Sequence, residues 1–312
     1  MNTQSDKLTV AVEKKPKLLV FGEGQLGQEL KYLLSQSSSF DLAIYDYPVG
    51  DITSLEKVTE LAEVEGPQFI INAAAYTAVD KAESDEANTF AVNAMGPHNL
   101  ALLAKSLDIP LIHVSTDYVF NGEAKQPYEP GAVANPESAY GRTKLAGEWA
   151  IQSLWQKHFI VRTAWVYSVF GNNFVKTMLR LGEERDELKI VADQIGSPTN
   201  ARDLAQGIID LCLSVEESKE GANGTELQQA PYGVYHYTNS AECSWYDFAC
   251  EIFSLAKEKG LKTPSTVMPI KTEEYPTPAK RPAYSVLSLD KMSKISQIRP
   301  WDKALKDFFN DL

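Results

Sequence analysis

The sequence predicts an α/β fold, a doubly wound parallel sheet covered by helices on both faces. Two observations carry this. Short apolar runs alternate with segments of helical periodicity through the first half of the chain, and each run is nearly all apolar, as strands buried on both faces must be. A third supports them: the first run, KLLVF (17–21), stops at glycines that open a helix.

The elements follow in order. After KLLVF comes a helix over QLGQELKYLLSQ, then a strand FDLAIYD (40–46) that ends on an acid. SLEKVTELAEVEG reads as a helix and PQFIINAAA as a third strand with a small, polar end. DEANTFAVNAMGPHNLALLAKSLD is one long helical stretch, followed by the strand PLIHVST (110–116). A helix runs from Tyr140 to about Trp155, and HFIVRTAWVY is read as one strand. After Tyr167 the rhythm changes: a helix over NNFVKTMLRLGEE, a strand LKIVAD, a helix over ARDLAQGIIDLCLSVEE and a Pro-rich tail. Residues 17–168 thus form a dinucleotide-binding unit, and 169–312 mostly a smaller α/β lobe for the second ligand, with segments near 199–215 and 232–240 returning to the first. Residues 1–16 read as a flexible tail and 216–231, polar and without period, as an insertion loop.

Bulk composition narrows the function. The 312 residues are 44% hydrophobic and carry a formal charge of −12, with pI near 4.9, which argues against a nucleic-acid surface. No apolar run spans a bilayer and the N-terminus lacks a secretory pattern, so a cytoplasmic protein without membrane partners is expected. Cys212, Cys243 and Cys250 form no CxxC pair, and the four dispersed histidines, His98, His113, His158 and His236, read as ordinary surface or core residues.

Gly22-Glu-Gly24-Gln25-Leu26-Gly27 fits G-x-G-x-x-G between a strand and a helix, and Asp46 ends the next strand nineteen residues later. The glycines let backbone amides approach a pyrophosphate, the helix start offers unpaired N–H donors, and the acid suits the ribose hydroxyls of an adenosine. A carboxylate at Asp46 favours NADH; NADPH stays open, with Lys31 or a loop lysine able to compensate. The strand LIHVSTDYVF ends in Ser115, Thr116 and Asp117, and Tyr140-Gly-Arg-Thr-Lys144 follows on the next helix.

A hydroxyl at a strand end with Tyr-x-x-x-Lys beyond it resembles the active-site set of the short-chain dehydrogenase/reductase superfamily. The ordered segments GQLGQEL, DIT, INAAAYTAVDKAE, HVSTDYVFNG, YGRTKLAGE, RTAWVYS, GNNFVKTMLRL, VADQIGSPT and RPAYSVLSLDK narrow this to a resemblance to the dTDP-4-dehydrorhamnose reductases, over about residues 17–309. The resemblance implies a Rossmann-like fold and NADH- or NADPH-dependent reduction of the C4 ketone of a dTDP-linked 6-deoxyhexose, the last step of dTDP-rhamnose synthesis. It implies further that Gly24, Gln25 and Leu26 cradle the pyrophosphate, Asp46 meets the ribose, Asp51 and Ile52 bracket the adenine, and Ala74, Ala75, Tyr76 and Thr77 line the dinucleotide. Thr116 and Asp117 would touch the sugar, Tyr140 and Lys144 would complete the catalytic set, Trp165 would pack on the substrate, and Tyr118, Asn172 and Asn173 extend that group.

The chemistry expected is proton delivery from Tyr140 to the ketone oxygen, with Thr116 holding that oxygen and the Lys144 ammonium, together with the oxidising nicotinamide, lowering the phenol's pKa. Trp165 could instead be core, Asp117 a turn cap, Tyr76 and Thr77 plain loop residues; Arg162 and Arg281 could bind the diphosphate or form ion pairs. Two departures stand out. The glycine turn is one residue shorter than the G-x-x-G-x-x-G usual in this branch, leaving the role of Glu23 open. Some relatives bridge subunits through a carboxylate-held metal, and Arg202 occupies one of those carboxylate positions, so no metal is expected, and a monomer or weak homodimer is. Two other readings compete: a non-catalytic regulatory subunit of the methionine adenosyltransferase type, and a nucleotide-sugar epimerase or dehydratase.

Overall fold

The computed structural model describes residues 15–220 and 232–312; residues 1–14 of the expected tail and 221–231 of the expected loop lie outside them. The first half runs β1 Lys17–Phe21, α1 Gln25–Ser35, β2 Asp41–Tyr45, α2 Leu55–Glu65, β3 Phe69–Asn72, two short helices α3 Val79–Ala82 and α4 Glu86–Phe90, α5 Gly96–Leu107, β4 Leu111–Thr116, α6 Ala139–Leu154 and β5 His158–Thr163. The second half runs β6 Val166–Tyr167, α7 Phe174–Glu184, β7 Glu187–Val191, β8 Ile195–Gly196, β9 Thr199–Asn200, α8 Ala201–Glu220, β10 Gly233–His236, β11 Cys243–Ser244, α9 Trp245–Glu258, β12 Thr266–Ile270 and α10 Trp301–Asp311.

The main sheet has the order β10-β5-β4-β3-β1-β2, all parallel. From β1 the chain steps outward to β2 and then returns to the other side as β3, so the switch point lies between β1 and β3, where the carboxyl ends of the strands leave a crevice. Strand residues alternate between two apolar layers. Leu18, Val20, Ile71 and Ile112 face α1 and α8; Leu19, Phe21, Ile70 and Leu111 face α2 and α5. Burial of each such side chain contributes ~1.5–3 kcal/mol, which explains why both faces read as apolar in the sequence. A third core, around Tyr167, Phe248, Ile252 and Phe308, holds the second lobe together.

Three expectations are corrected. HFIVRTAWVY is not one strand: β5 ends at Thr163, Trp165 adopts a left-handed φ of 50°, and Val166–Tyr167 pair instead with β9. The long stretch 85–108 is broken by a π-helical segment, Ala91–Met95, just ahead of Pro97, which has no N–H to bond back onto Asn93 and so leaves that carbonyl free to pack against α6. Glu216–Glu220, assigned to the loop, continue α8. Chain from the second half also enters the first: α8 shares a core with α1, and β10 pairs with β5 at the sheet edge.

Candidate active site

A cleft of about 790 Å³ lies across the carboxyl ends of the strands, between the main sheet and the second lobe. At the end of the cleft formed by the glycine turn, Gly22 has a φ of 102°, and a Cβ there would stand 2.6 Å from the Ala74 nitrogen; a Cβ on Gly27 would stand 2.2 Å from the Gly22 carbonyl oxygen. Both glycines therefore let β1, β3 and α1 close up. Gly24 is different: it caps α1 without any side-chain bond, and a Cβ there meets nothing within 4 Å. The turn leaves open backbone beside unpaired helix N–H groups, the cradle a pyrophosphate needs. Glu23 pairs with Lys31 at 2.9 Å, which gives that residue a role and engages the lysine considered for a 2′-phosphate.

Asp46 lies in the cleft wall directly after β2. Asp51, also in the wall, accepts from the Thr53 N–H (3.1 Å) and hydroxyl (2.7 Å), and those bonds with nearby Lys57 hold its carboxyl below the usual range. Ile52 is buried against Gly96 and its carbonyl accepts from Asn99 at 3.0 Å. Ala74, Ala75, Tyr76 and Thr77 line the next stretch. The Asn93 amide clamps that loop from the π segment, accepting from the Tyr76 N–H (2.8 Å) and donating to the Tyr76 carbonyl (3.1 Å). The Tyr76 hydroxyl turns away to Asp85 at 3.0 Å.

Tyr140 and Lys144 follow the Ser138 cap of α6, and one turn further on the same face comes Glu148. Thr116 ends β4, donates to Asp117 Oδ1 at 2.9 Å and accepts from the Tyr118 N–H at 3.2 Å; Tyr118 meets the Tyr140 ring edge-on at 5.5 Å. Burial pushes the Tyr140 phenol up to about 12, with the Thr116 hydroxyl pulling the other way and the Asp117 charge adding to the rise. Lys144 is not among the causes of that shift. Lys144 Nζ turns to the Val114 carbonyl (2.7 Å) and His113 Nε2 (3.3 Å), and burial brings its own pKa down to about 8 against the pull of Glu148. Burial also raises Asp117 to about 6, opposed by the hydroxyls of Ser285 and Thr116, and its Oδ2 has no hydrogen-bond partner. Asp117 thus lines the cleft with one buried carboxylate oxygen left unpaired.

Trp165 forms the far wall, stacked on Trp245 at 3.5 Å, and only a glycine fits at 196, where a Cβ would lie 2.7 Å from the Trp165 ring. Asn172 lines the cleft; Asn173 does not, and instead caps α7 and donates to Ser168 O (2.7 Å) and Gln25 Oε1 (3.0 Å), tying the lobe to the glycine turn. Arg162 and Arg281 are ion-pair residues. Arg162 meets Glu148 at 2.7 Å with both side chains buried, and Arg281 meets Asp80 at 2.9 Å. Arg202 pairs with Glu29 at 2.9 Å and with Asp311, placing a guanidinium among carboxylates. Among the described residues no group of three or more His, Cys, Asp or Glu gathers as a metal site.

Sequence reasoning missed Asn93, Asn72 and Glu148; His113 lies in the core, one of the two placements the sequence allowed it. Glu148 was legible as the continuation of the 140, 144 helical face, whereas the π segment that aims Asn93 comes from tertiary packing: its carbonyl oxygen lies where a Cβ on Gly147 would stand 2.2 Å away.

The sequence model of the family described as "RmlD substrate binding domain" matches residues 16–312. A dTDP-4-dehydrorhamnose reductase of Aggregatibacter actinomycetemcomitans is 40% identical over 93% of this chain and 97% of that one. Among solved structures, a dTDP-4-dehydrorhamnose reductase from Clostridium acetobutylicum superposes with a TM-score of 0.83 at 42% identity, covering 94% of this chain and 98% of that chain. Another from Bacillus anthracis, solved in complex with NADP, gives 0.85 at 37% identity, covering 96% and 100%.

Proposed function

The chain belongs to the RmlD substrate binding domain family, and from that premise we propose that it is an NAD(P)H-dependent reductase that converts the C4 ketone of dTDP-4-dehydrorhamnose to the alcohol of dTDP-L-rhamnose. One observation carries the reading: Thr116, Asp117, Tyr140 and Lys144 meet in the cleft that the glycine turn opens, so a proton donor stands beside a dinucleotide cradle. The dinucleotide supplies a hydride when bound. Gly24, Gln25 and Leu26 would hold its phosphates, Asp46 its adenosine ribose, Asp51 and Ile52 its adenine end, and Ala74 to Thr77 its middle, with Lys144 at the far ribose.

The chain's own residues then handle the sugar and the proton. A phenol held near 12 is protonated at neutral pH, the form a donor must have, so Tyr140 delivers its proton to the ketone oxygen. Thr116 holds that oxygen in line, for which its hydroxyl proton must leave Asp117 Oδ1. Asp117 Oδ2 accepts a sugar hydroxyl, Tyr118, Asn172 and the Trp165 face confine the ring, and Asn173 positions the wall behind it. The preserved Thr–Tyr–Lys set weighs against the regulatory-subunit reading, since a scaffold gains nothing from a buried donor. Asp117 alone beside Thr116 weighs against a dehydratase, which needs a carboxylate pair. We place the enzyme in the cytoplasm, acting on a dTDP-sugar without nucleic-acid or membrane partners, as a monomer or weakly associated homodimer; no helix among the described residues is long and apolar enough to cross a membrane.

The test follows the reduced cofactor by absorbance on addition of the dTDP-4-keto sugar. One equivalent of NADPH or NADH consumed per sugar is expected. Tight dinucleotide binding with no consumption of either would overturn the reading.

A further inference from the structure

Behind the Tyr–Lys pair lies a chain of buried polar groups that the proposed reaction does not use. The Ala74 backbone N–H donates to Asn72 Oδ1 at 3.1 Å. This fixes the orientation of the amide, so Asn72 Nδ2, a donor only, faces His113 Nδ1 at 3.0 Å. Nδ1 must then be the bare, accepting nitrogen. A neutral imidazole with a bare Nδ1 carries its proton on Nε2, and Nε2 lies 3.3 Å from Lys144 Nζ. His113 is wholly buried, and burial together with the Lys144 charge holds its pKa well below 6.5, so a second ring proton is disfavoured.

We infer that His113 is a positioning residue for Lys144: locked by Asn72 as the Nε2–H tautomer, it presents a donor to the lysine nitrogen and so favours the neutral amine over the ammonium. An ammonium has donors only and finds an N–H facing it; an amine accepts from Nε2–H with its lone pair and still donates to the Val114 carbonyl. Lys144 therefore exchanges its proton near physiological pH, a reservoir beside the phenol that Tyr140 must recharge after each turnover.

The other groups around Lys144 are accounted for. On its own helix stand Tyr140 and Glu148; Glu148 raises the lysine's proton affinity, but its carboxylate is occupied by Arg162 from β5 and by the Ser115 hydroxyl of β4 at 2.5 Å. β4 further supplies His113, and Asp117 directly follows it. Asn72 of β3 and Asn93 of the π segment carry no charge. Burial acts downward and Glu148 upward on the lysine, which stands near 8; the His113 N–H facing Nζ acts in the same direction as burial.

The inference rests on the reductase reading only for the use of the proton, and its test needs no turnover. In the wild-type chain, ¹⁵N NMR of the histidine rings reads the His113 tautomer, and ¹³C NMR of the lysine Cε carbons reads the Lys144 titration, assigned by its loss in Lys144→Arg. The expected results are the Nε2–H tautomer and, in His113→Leu, a Lys144 midpoint raised by about half to one pH unit, a three- to tenfold gain in proton affinity. Burial alone predicts the opposite sign, because leucine is less polar than imidazole. An Nδ1–H tautomer, or a midpoint unchanged or lowered in His113→Leu, overturns the inference; if that variant does not fold, the wild-type tautomer decides. Absence of NAD(P)H oxidation with an Nε2–H tautomer would remove the reductase reading and leave this one standing.

Discussion

Tyr140 is protonated by the same burial that shields it from water, and its phenol is useful only if Thr116 and Lys144 stand beside it. Tyr140→Phe removes the proton while keeping the ring against Tyr118; turnover should fall by ~10²–10⁴ with dinucleotide affinity, measured by fluorescence titration, essentially unchanged. A near-normal rate would take Tyr140 out of the mechanism. Glu148 gives a contrasting prediction. It joins Arg162 and Ser115 in full burial, so Glu148→Ala strands a guanidinium and should cost about 3–5 kcal/mol in denaturant unfolding. At this scale the sequence was informative about identity and blind to environment. Tyr140, Lys144 and Thr116 could be picked out by type and spacing, but the direction of the Tyr140 shift could not, because it depends on where Lys144 Nζ points and on how completely α6 is covered.

The glycine turn shows how one element divides its tasks. Gly27 is closed in by Gly22, so Gly27→Ala should destabilise the protein by about 1–3 kcal/mol, seen as a lower thermal midpoint. Gly24 faces open cleft. Gly24→Ala should leave stability within about 0.5 kcal/mol while weakening dinucleotide binding ~10-fold, because the added methyl stands where phosphate approaches. Equal losses of stability in both variants would contradict this division. The strand–turn–helix itself was legible from sequence, since its period and glycines are local. The break at Trp165 was not: a left-handed tryptophan is held by Trp245, 80 residues away, and by the space at Gly196. The π segment escaped for the same reason, although Pro97 was its one local sign.

Across the whole molecule, the sheet order and the two apolar layers follow from all-apolar strands alternating with amphipathic helices, and so were visible in the sequence. The joining of the two halves was less so, because contacts such as Asn173 to Gln25 or Arg202 to Glu29 link positions far apart in the chain. Acid stability is a property at this scale. Burial, with the Lys144 charge, holds His113 well below the ordinary imidazole value of 6.5 and, with Arg162 beside it, His236 down to about 3. Both rings are neutral in the folded state but charge in the unfolded chain below about 6.5, so their contribution is fully present above that pH and is lost as pH falls toward the folded values. Asp117, raised to about 6, gains stability as pH falls and so offsets one imidazole, leaving a net loss from the other; calorimetry should show the thermal midpoint declining from about 6.5 downward, and a midpoint that stays level down to pH 5 would contradict neutral buried imidazoles. The central claim is that this cleft moves a hydride to a sugar carbon and a proton to its oxygen. Single turnover with NADPH carrying deuterium at C4 of the nicotinamide, on the face transferred, tests it most directly. Mass spectrometry and NMR of the sugar should find the deuterium at C4 of dTDP-L-rhamnose; deuterium kept in the dinucleotide, or an epimerised sugar with no net reduction, would contradict the account.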